Sequence, residues 1–225
     1  MKIVPLTSSC QNILDIKEHI CFGISPYNSL FSEEYLTALI TYAQNHFRTF
    51  HFFLPDTPTL FTLEAMGYSP AECQKKLKKQ INWLRNKIQK SFERFQLDYK
   101  NHLIDDQFLQ ANLNFKTELN QTYQAYDQDP LFRQLCLESS RWVLQNKLPT
   151  EDITEQTLYH AVKYFLYEIP IFAATNKILD IETSLFCYHQ SIPFHHQLYK
   201  NQLIYPVSDG QGYGQIILPE THDKK

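Results

Sequence analysis

Glycine is scarce in this chain, with 5 in 225 residues, and tryptophan and methionine number 2 each. So little glycine, beside 14% aromatic residues, excludes collagen-like, low-complexity and disordered classes. The 5 cysteines (Cys10, Cys21, Cys73, Cys136 and Cys187) form no C-x-x-C pair. An odd, scattered set argues for a reducing compartment rather than a disulfide framework. No apolar run approaches 18 residues, so no membrane-spanning helix is expected. The opening MKIVPLTSSC is too short and too broken for a signal peptide. These absences lead us to expect a soluble, cytoplasmic protein. There is no Walker A loop and no G-x-S-x-G elbow. Gly210-Gln-Gly-Tyr-Gly214 lacks the βαβ context of a dinucleotide loop and reads as a hairpin or turn before a β-like run.

A chain of this length can bury a core without metal or disulfide staples. We find neither an internal repeat nor a Gly/Ser/Pro linker, so residues 1–225 are expected to form a single domain. Apolar runs at 19–25, 49–54 and 184–189 read as strands. Ser32 caps a helix running to about Phe47, and a short helix stops near Met66 and Gly67. Ser69-Pro-Ala-Glu72 opens a long helix that ends near Phe95. Further helices are expected at about 106–125 and 129–147, and from Asp152 or Thr154 to Glu168, where Pro170 should end the last of them. The tail reads as extended with a polar end. The alternation of strands and helices predicts an α/β fold, Rossmann-like, with a mostly parallel sheet flanked by helices.

The net charge is −3, yet between Gln74 and Phe95 eight basic residues face one acid, Glu93. On a helical wheel Lys76, Lys79, Lys87, Lys90 and Arg94 fall within an arc of about 80°, and the ridge they make is roughly 27 Å long. Leu77, Ile81, Leu84, Ile88, Phe92 and Phe95 form a separate apolar stripe. A helix built only for solvent usually mixes charge signs at i,i+4, so this ridge points to a polyanion, with Trp83 able to stack on a base or to pack under its neighbours.

Ser25 falls at the mouth of the first predicted strand, where open α/β sheets bind ligands; it reads either as a nucleophile or as a turn residue before Pro26. Tyr164 and Glu168 share a helix face and together can hold an ammonium group, or they are a packed phenol beside a surface acid. His189, His195 and His196 have no carboxylate or cysteine cluster to complete a metal site, and they read as pocket or surface histidines.

Taken in order, Gly23-Ile-Ser25-Pro-Tyr-Asn28, the Lys/Arg-rich helix, Tyr164-x-x-x-Glu168 and Tyr188 resemble the cyclodipeptide synthases over about residues 19–190. Asn28 matches one subgroup; the residue after Tyr188 is His189, with Gln190 one further, which departs from the family's usual Gln or Pro. The resemblance implies a fold like the class I aminoacyl-tRNA synthetase catalytic domain. It also implies two aminoacyl-tRNAs as substrates, joined by ping-pong acyl transfer through an aminoacyl-Ser25 to give a 2,5-diketopiperazine. It assigns Glu168 and Tyr164 to the α-amino group, Tyr188 to proton transfer, Asn28 to orienting the aminoacyl group, and Gly23 to close backbone approach at the oxyanion. Lys76, Lys79, Lys87, Lys90 and Arg94 would contact tRNA phosphates, and Cys21, Phe53, Ile171, Phe186 and His189 would line the side-chain pocket. No cofactor or metal is implied, and a monomer or weak homodimer is expected. Two other classes stay open on the residues alone: a non-catalytic tRNA- or RNA-binding module using the same helix, and a serine esterase-type hydrolase pairing Ser25 with His189.

Overall fold

The computed structural model describes residues 1–218; the polar end of the tail lies outside them. Its elements run β1 (Lys2–Pro5), α1 (Ser8–Ile16), β2 (His19–Gly23), α2 (Glu33–His46), β3 (Thr49–Phe53), α3 (Thr59–Ala65), α4 (Pro70–Glu93), β4 (Leu103–Ile104), α5 (Asp106–Ala111), α6 (Leu113–Gln128), α7 (Pro130–Gln145), α8 (Glu155–Ile178), β5 (Ser184–Tyr188), α9 (Pro193–Tyr199) and β6 (Gln211–Ile217). The six-stranded sheet has the order β1-β6-β5-β2-β3-β4, with β1 antiparallel to β6 and the other pairs parallel. This is the α/β, Rossmann-like architecture that the sequence predicts.

The central strands read as continuous apolar runs because both faces are covered. Along β2, Ile20 and Phe22 (with Ile24 just beyond the strand) point into a core built with α2 and α4, whereas Cys21 points into a second core with α6, α7, α8 and α9. The stripe of α4 behaves as its spacing dictates. Leu77, Ile81, Leu84, Ile88 and Phe92 are buried, each contributing roughly 1.5–3 kcal/mol of apolar transfer. Its start is fixed by a capping box between Ser69 and Glu72, with Pro70 in the first turn. Arg85, off the ridge, reaches Asp56 at 2.8 Å and Asp105 at 2.7 Å and ties α4 to the loops that follow β3 and β4.

Three expectations are corrected, besides that of an extended tail, which instead carries helix α9 at Pro193–Tyr199. The helix expected to close at Glu168 continues to Ile178 with Pro170 inside it, and its backbone breaks at Ala174 instead. Tertiary burial overrides the proline here: Ile169, Pro170, Ile171, Phe172 and Ala173 are all buried, so α8 is a core helix apolar on nearly every side. The Ala173 carbonyl, next to the break, accepts from the Ser208 amide at 2.9 Å. Second, of the glycine-rich stretch expected to be a hairpin or turn only Gly210 lies in a turn; from Gln211 on it is strand β6, inserted between β1 and β5. A Cβ at Gly214 would stand 2.5 Å from Ile3 Cγ2, so the glycine there serves close packing against β1. Third, the helix expected over 106–125 is two, α5 and α6, divided at Asn112, whose side chain accepts from Phe115 N and caps the second.

Candidate active site

The strand order sets where a site can form. From β2 the chain winds outward through β3 and β4, then returns to place β5 on the other side of β2 and β6 beyond it. The switch point of the sheet therefore lies between β2 and β5, at their carboxyl ends. Register pairs Cys21 with Phe186 and Phe22 with Cys187, so Gly23 at the end of β2 stands beside Tyr188 at the end of β5. A Cβ on Gly23 would meet Phe186 Cζ at 2.7 Å and Tyr188 Cδ2 at 3.2 Å. In the structure the missing side chain makes room for these two rings.

Ser25 follows β2 by two residues, and its hydroxyl donates to the Pro26 carbonyl at 3.3 Å. Tyr27 takes a left-handed backbone, φ 63, rare for an aromatic residue, and this bends the loop back toward β5. Asn28 is then held from both sides: its Oδ1 accepts from Leu30 N at 3.0 Å and its Nδ2 donates to His189 Nε2 at 2.9 Å. The phenol of Tyr188 sits beside Ser25 and Asn28; burial pushes its pKa up to about 12, against the pull of those two neighbours.

Across from the loop, α8 presents Tyr164 and Glu168. Burial pushes the Glu168 carboxyl up to about 7, with the Tyr164 hydroxyl beside it pulling the other way. Tyr164 itself is raised by burial and then by the Glu168 charge. All of these groups line one cavity of about 600 Å³.

Phe53, Phe186 and His189 stand on the cavity wall, as does Gly23. Cys21 and Ile171, expected as pocket residues, do not line it: both are packed into the core behind, 0% and 1% exposed. Residue order along a strand shows nearness to a site and not which layer of side chains meets the ligand. Sequence reasoning missed Leu63 of α3, Ser140 and Trp142 of α7, Phe165 and Phe172 of α8, and Tyr213 of β6, all on the wall. The i,i+4 pattern of α7 and α8 marks Ser140, Phe165 and Phe172 as inward-facing, and nothing in it separates a cavity wall from filled core. Among the histidines, His189 and His195 line the cavity and His196 is exposed.

The cationic ridge divides. Lys76 and Lys79 are exposed and pair with no carboxylate among the described residues; Lys76 stands on the cavity rim with its Nζ 4.3 Å from the centre of the Tyr68 ring. Lys87 donates to the Phe31 carbonyl at 3.1 Å and lies 3.4 Å over the Trp83 ring, which stays exposed. Lys90 and Arg94 reach Glu33 of α2 at 3.8 and 3.5 Å. The acid that pairs with this end of the ridge comes from the neighbouring helix.

A doubly wound sheet that gathers a serine, a shielded carboxyl group and two phenols at its switch point has the parts an α/β group-transfer enzyme uses. The sequence model of the family described as cyclodipeptide synthase matches residues 1–218, and the chain belongs to that family. A curated relative, the cyclo(L-leucyl-L-leucyl) synthase of Staphylococcus haemolyticus, is 30% identical, with 99% of this chain and 96% of the relative covered. The solved structure of the cyclodipeptide synthase from that organism matches with a TM-score of 0.89 at 26% identity, covering 97% of this chain and 99% of that one. A Mycobacterium tuberculosis protein, whose structure is described as demonstrating that cyclodipeptide synthetases are related to type I tRNA-synthetases, matches with a TM-score of 0.83. It is 28% identical, with 94% of this chain and 90% of that chain covered.

Proposed function

We propose that the protein joins two aminoacyl groups, each delivered as an aminoacyl-tRNA, into a 2,5-diketopiperazine through an aminoacyl ester on Ser25. The single observation that carries this reading is the meeting of Ser25, Tyr188 and Glu168 in one cavity at the sheet switch point. The ester of an aminoacyl-tRNA is already activated, so no nucleotide hydrolysis is required. Ser25 Oγ attacks the ester carbonyl, the bond to the ribose oxygen breaks, and the serine proton passes to the departing tRNA hydroxyl. The amine of the second aminoacyl-tRNA attacks the Ser25 ester, and the acyl group moves onto it. Return of that dipeptidyl group to Ser25 releases the second tRNA. The dipeptide's free amine then attacks its own ester carbonyl, freeing the serine and closing the ring; the step is intramolecular and gains from proximity.

Glu168 and Tyr164 hold the α-amino group, and the raised pKa of Glu168 suits it to pass a proton near neutrality. Tyr188 moves the proton at ring closure, and Asn28, clamped by His189 and the Leu30 amide, orients the aminoacyl group. Lys76 and Lys79 supply phosphate contacts as they stand, and Lys87, Lys90 and Arg94 add theirs to the extent that the polyanion displaces the Phe31 carbonyl and Glu33. The hydrolase alternative loses its base, because His189 bonds Asn28 and no imidazole reaches Ser25 Oγ among the described residues. The test is intact-mass measurement after rapid quenching with charged tRNA. A residue-sized increment on the wild type, absent from Ser25→Ala together with the cyclic product, is the expected result. An unmodified wild-type protein that still releases product would overturn the covalent route.

A further inference from the structure

The wall of the cavity carries a polar group to which the reaction above gives no task. His195 is 7% exposed and lines the cavity, with its ring centre 4.4 Å from that of Tyr213 and 4.8 Å from that of Phe172. Its Nδ1 lies 3.3 Å from the backbone N–H of Ile192. A backbone amide can only donate, so Nδ1 must be the acceptor and the neutral ring must carry its proton on Nε2. Burial keeps the ring neutral, pushing its pKa down to about 3, with the His196 charge adding to the shift.

Nε2–H has no acceptor among the described residues. It is also not sealed in: among the described residues the fully enclosed side-chain polar atoms without partners are Tyr35 Oη, His160 Nδ1 and Asn176 Oδ1, and His195 Nε2 is not one of them. The donor therefore opens onto the cavity. Its neighbour cannot take the proton's place, since the Tyr213 hydroxyl is committed to the Gln190 carbonyl at 2.6 Å. The surroundings are otherwise apolar and aromatic, with Phe172, Phe186 and Ile192 on the same wall. Glu168, one helical turn before Phe172 on α8, is the cavity's one carboxyl among the described residues. A directed N–H in such a wall leaves a cost standing until something accepts from it.

We propose that His195 is a specificity-determining residue whose Nε2–H selects an aminoacyl group with a neutral acceptor at the end of an aromatic side chain, a tyrosyl group over phenylalanyl or leucyl. This rests on the proposed use of aminoacyl-tRNAs. The aromatic wall supplies edge and face contacts to the ring of the substrate, and the phenol oxygen accepts the hydrogen bond. Phenylalanyl fills the same space and leaves the donor unpaired, which is the situation in which sites discriminate best.

The experiment supplies purified protein with tRNAs charged singly with tyrosine, phenylalanine or leucine and measures initial rates of cyclodipeptide formation by mass spectrometry. The wild type should use tyrosyl-tRNA at least about tenfold faster than phenylalanyl-tRNA. His195→Phe should erase or reverse that preference, and His195→Gln, which keeps an N–H donor, should retain part of it; thermal melts report whether each variant folds. Equal use of tyrosine and phenylalanine by the wild type, or the same ratio in a folded His195→Phe variant, overturns this inference and leaves the proposed function standing. No cyclic product from any charged tRNA overturns both. If His195→Phe fails to fold, the ratio is read from folded His195→Gln, and a value equal to the wild type's overturns the inference.

Discussion

The side-chain amide of Asn28 donates to Nε2 of His189 across 2.9 Å, joining the loop after β2 to the residue that follows β5. The bond requires His189 to be neutral with its proton on Nδ1, and burial lowers its pKa accordingly. His189→Leu should lower kcat/KM about 3- to 10-fold, the worth of one lost hydrogen bond. His189→Gln, whose carbonyl can accept from the same amide, should recover most of that loss. Steady-state kinetics on both variants check the expectation.

Gly23 is the position where a single methyl group should do most harm. In Gly23→Ala the new carbon lies 2.7 Å from Phe186 Cζ, and the Phe186 and Tyr188 rings must move. We expect destabilisation of about 1–3 kcal/mol, in the range of overpacked cores. The larger loss should be in kcat, because Tyr188 is displaced from Ser25. Urea denaturation and initial rates separate the two effects.

The ion pairs of Glu33 give the tRNA reading a test that increases binding. Lys90 and Arg94 are held by Glu33, whereas Lys79 is not. Glu33→Gln should free two cations, tighten tRNA binding at low salt and steepen the log–log salt slope by roughly 1–2. Lys79→Glu should weaken binding and flatten the slope, while the buried stripe of α4 keeps the fold. Filter binding of uncharged tRNA at graded salt measures both.

Glu168 links activity to stability through pH. Its carboxyl titrates near 7 in the fold and near 4.5 in the unfolded chain. The folded state thus holds a proton that the unfolded state has lost, and stability falls as pH rises through that window. The full difference is about 3 kcal/mol, at 1.36 kcal/mol per pKa unit. Glu168→Gln cannot ionise, so its melting temperature should gain on the wild type between pH 5 and 8. The same variant should lose most of its activity at every pH.

Acid should act on a different cluster. His19 donates or accepts at Ser184 Oγ, 2.8 Å away, and at His51 Nδ1, 2.9 Å away, and burial pushes the two histidines down to about 3 and about 4. Unfolded histidines bind protons near pH 6.5, so stability is full above that value and is lost as pH falls toward 4. His19→Gln should flatten this slope, because one proton-binding site is removed from the unfolded state. Chemical denaturation from pH 7 to 4.5 tests it.

Much of the fold was legible because local signals agreed with tertiary ones. Ser32 and the Ser69–Glu72 box mark helix starts that hold in the structure, and the apolar run from His19 carries β2. Where local chemistry and burial disagreed, burial won: Pro170 lies inside a helix and three glycines lie within or beside β6. β1 and α1 were not anticipated, since a four-residue edge strand followed by nine helical residues carries too short a period to read. The ordering of Ser25, Tyr164, Glu168 and Tyr188 was readable only as a pattern along the chain. The clamp on Asn28 and the tautomer of His195 depend on atoms brought together by the sheet, and no spacing announces them.

The placing of β6 between β1 and β5 makes the earliest of the described strands depend on the latest. Until Gln211–Ile217 emerges, Lys2–Pro5 has no neighbour to pair with and the flank of β5 stays open. During synthesis this is an exposed edge that invites association with other chains. Maturation should therefore come in a late, nearly all-or-none event, and a chain cut off before Gln211 would be an inert and sticky intermediate.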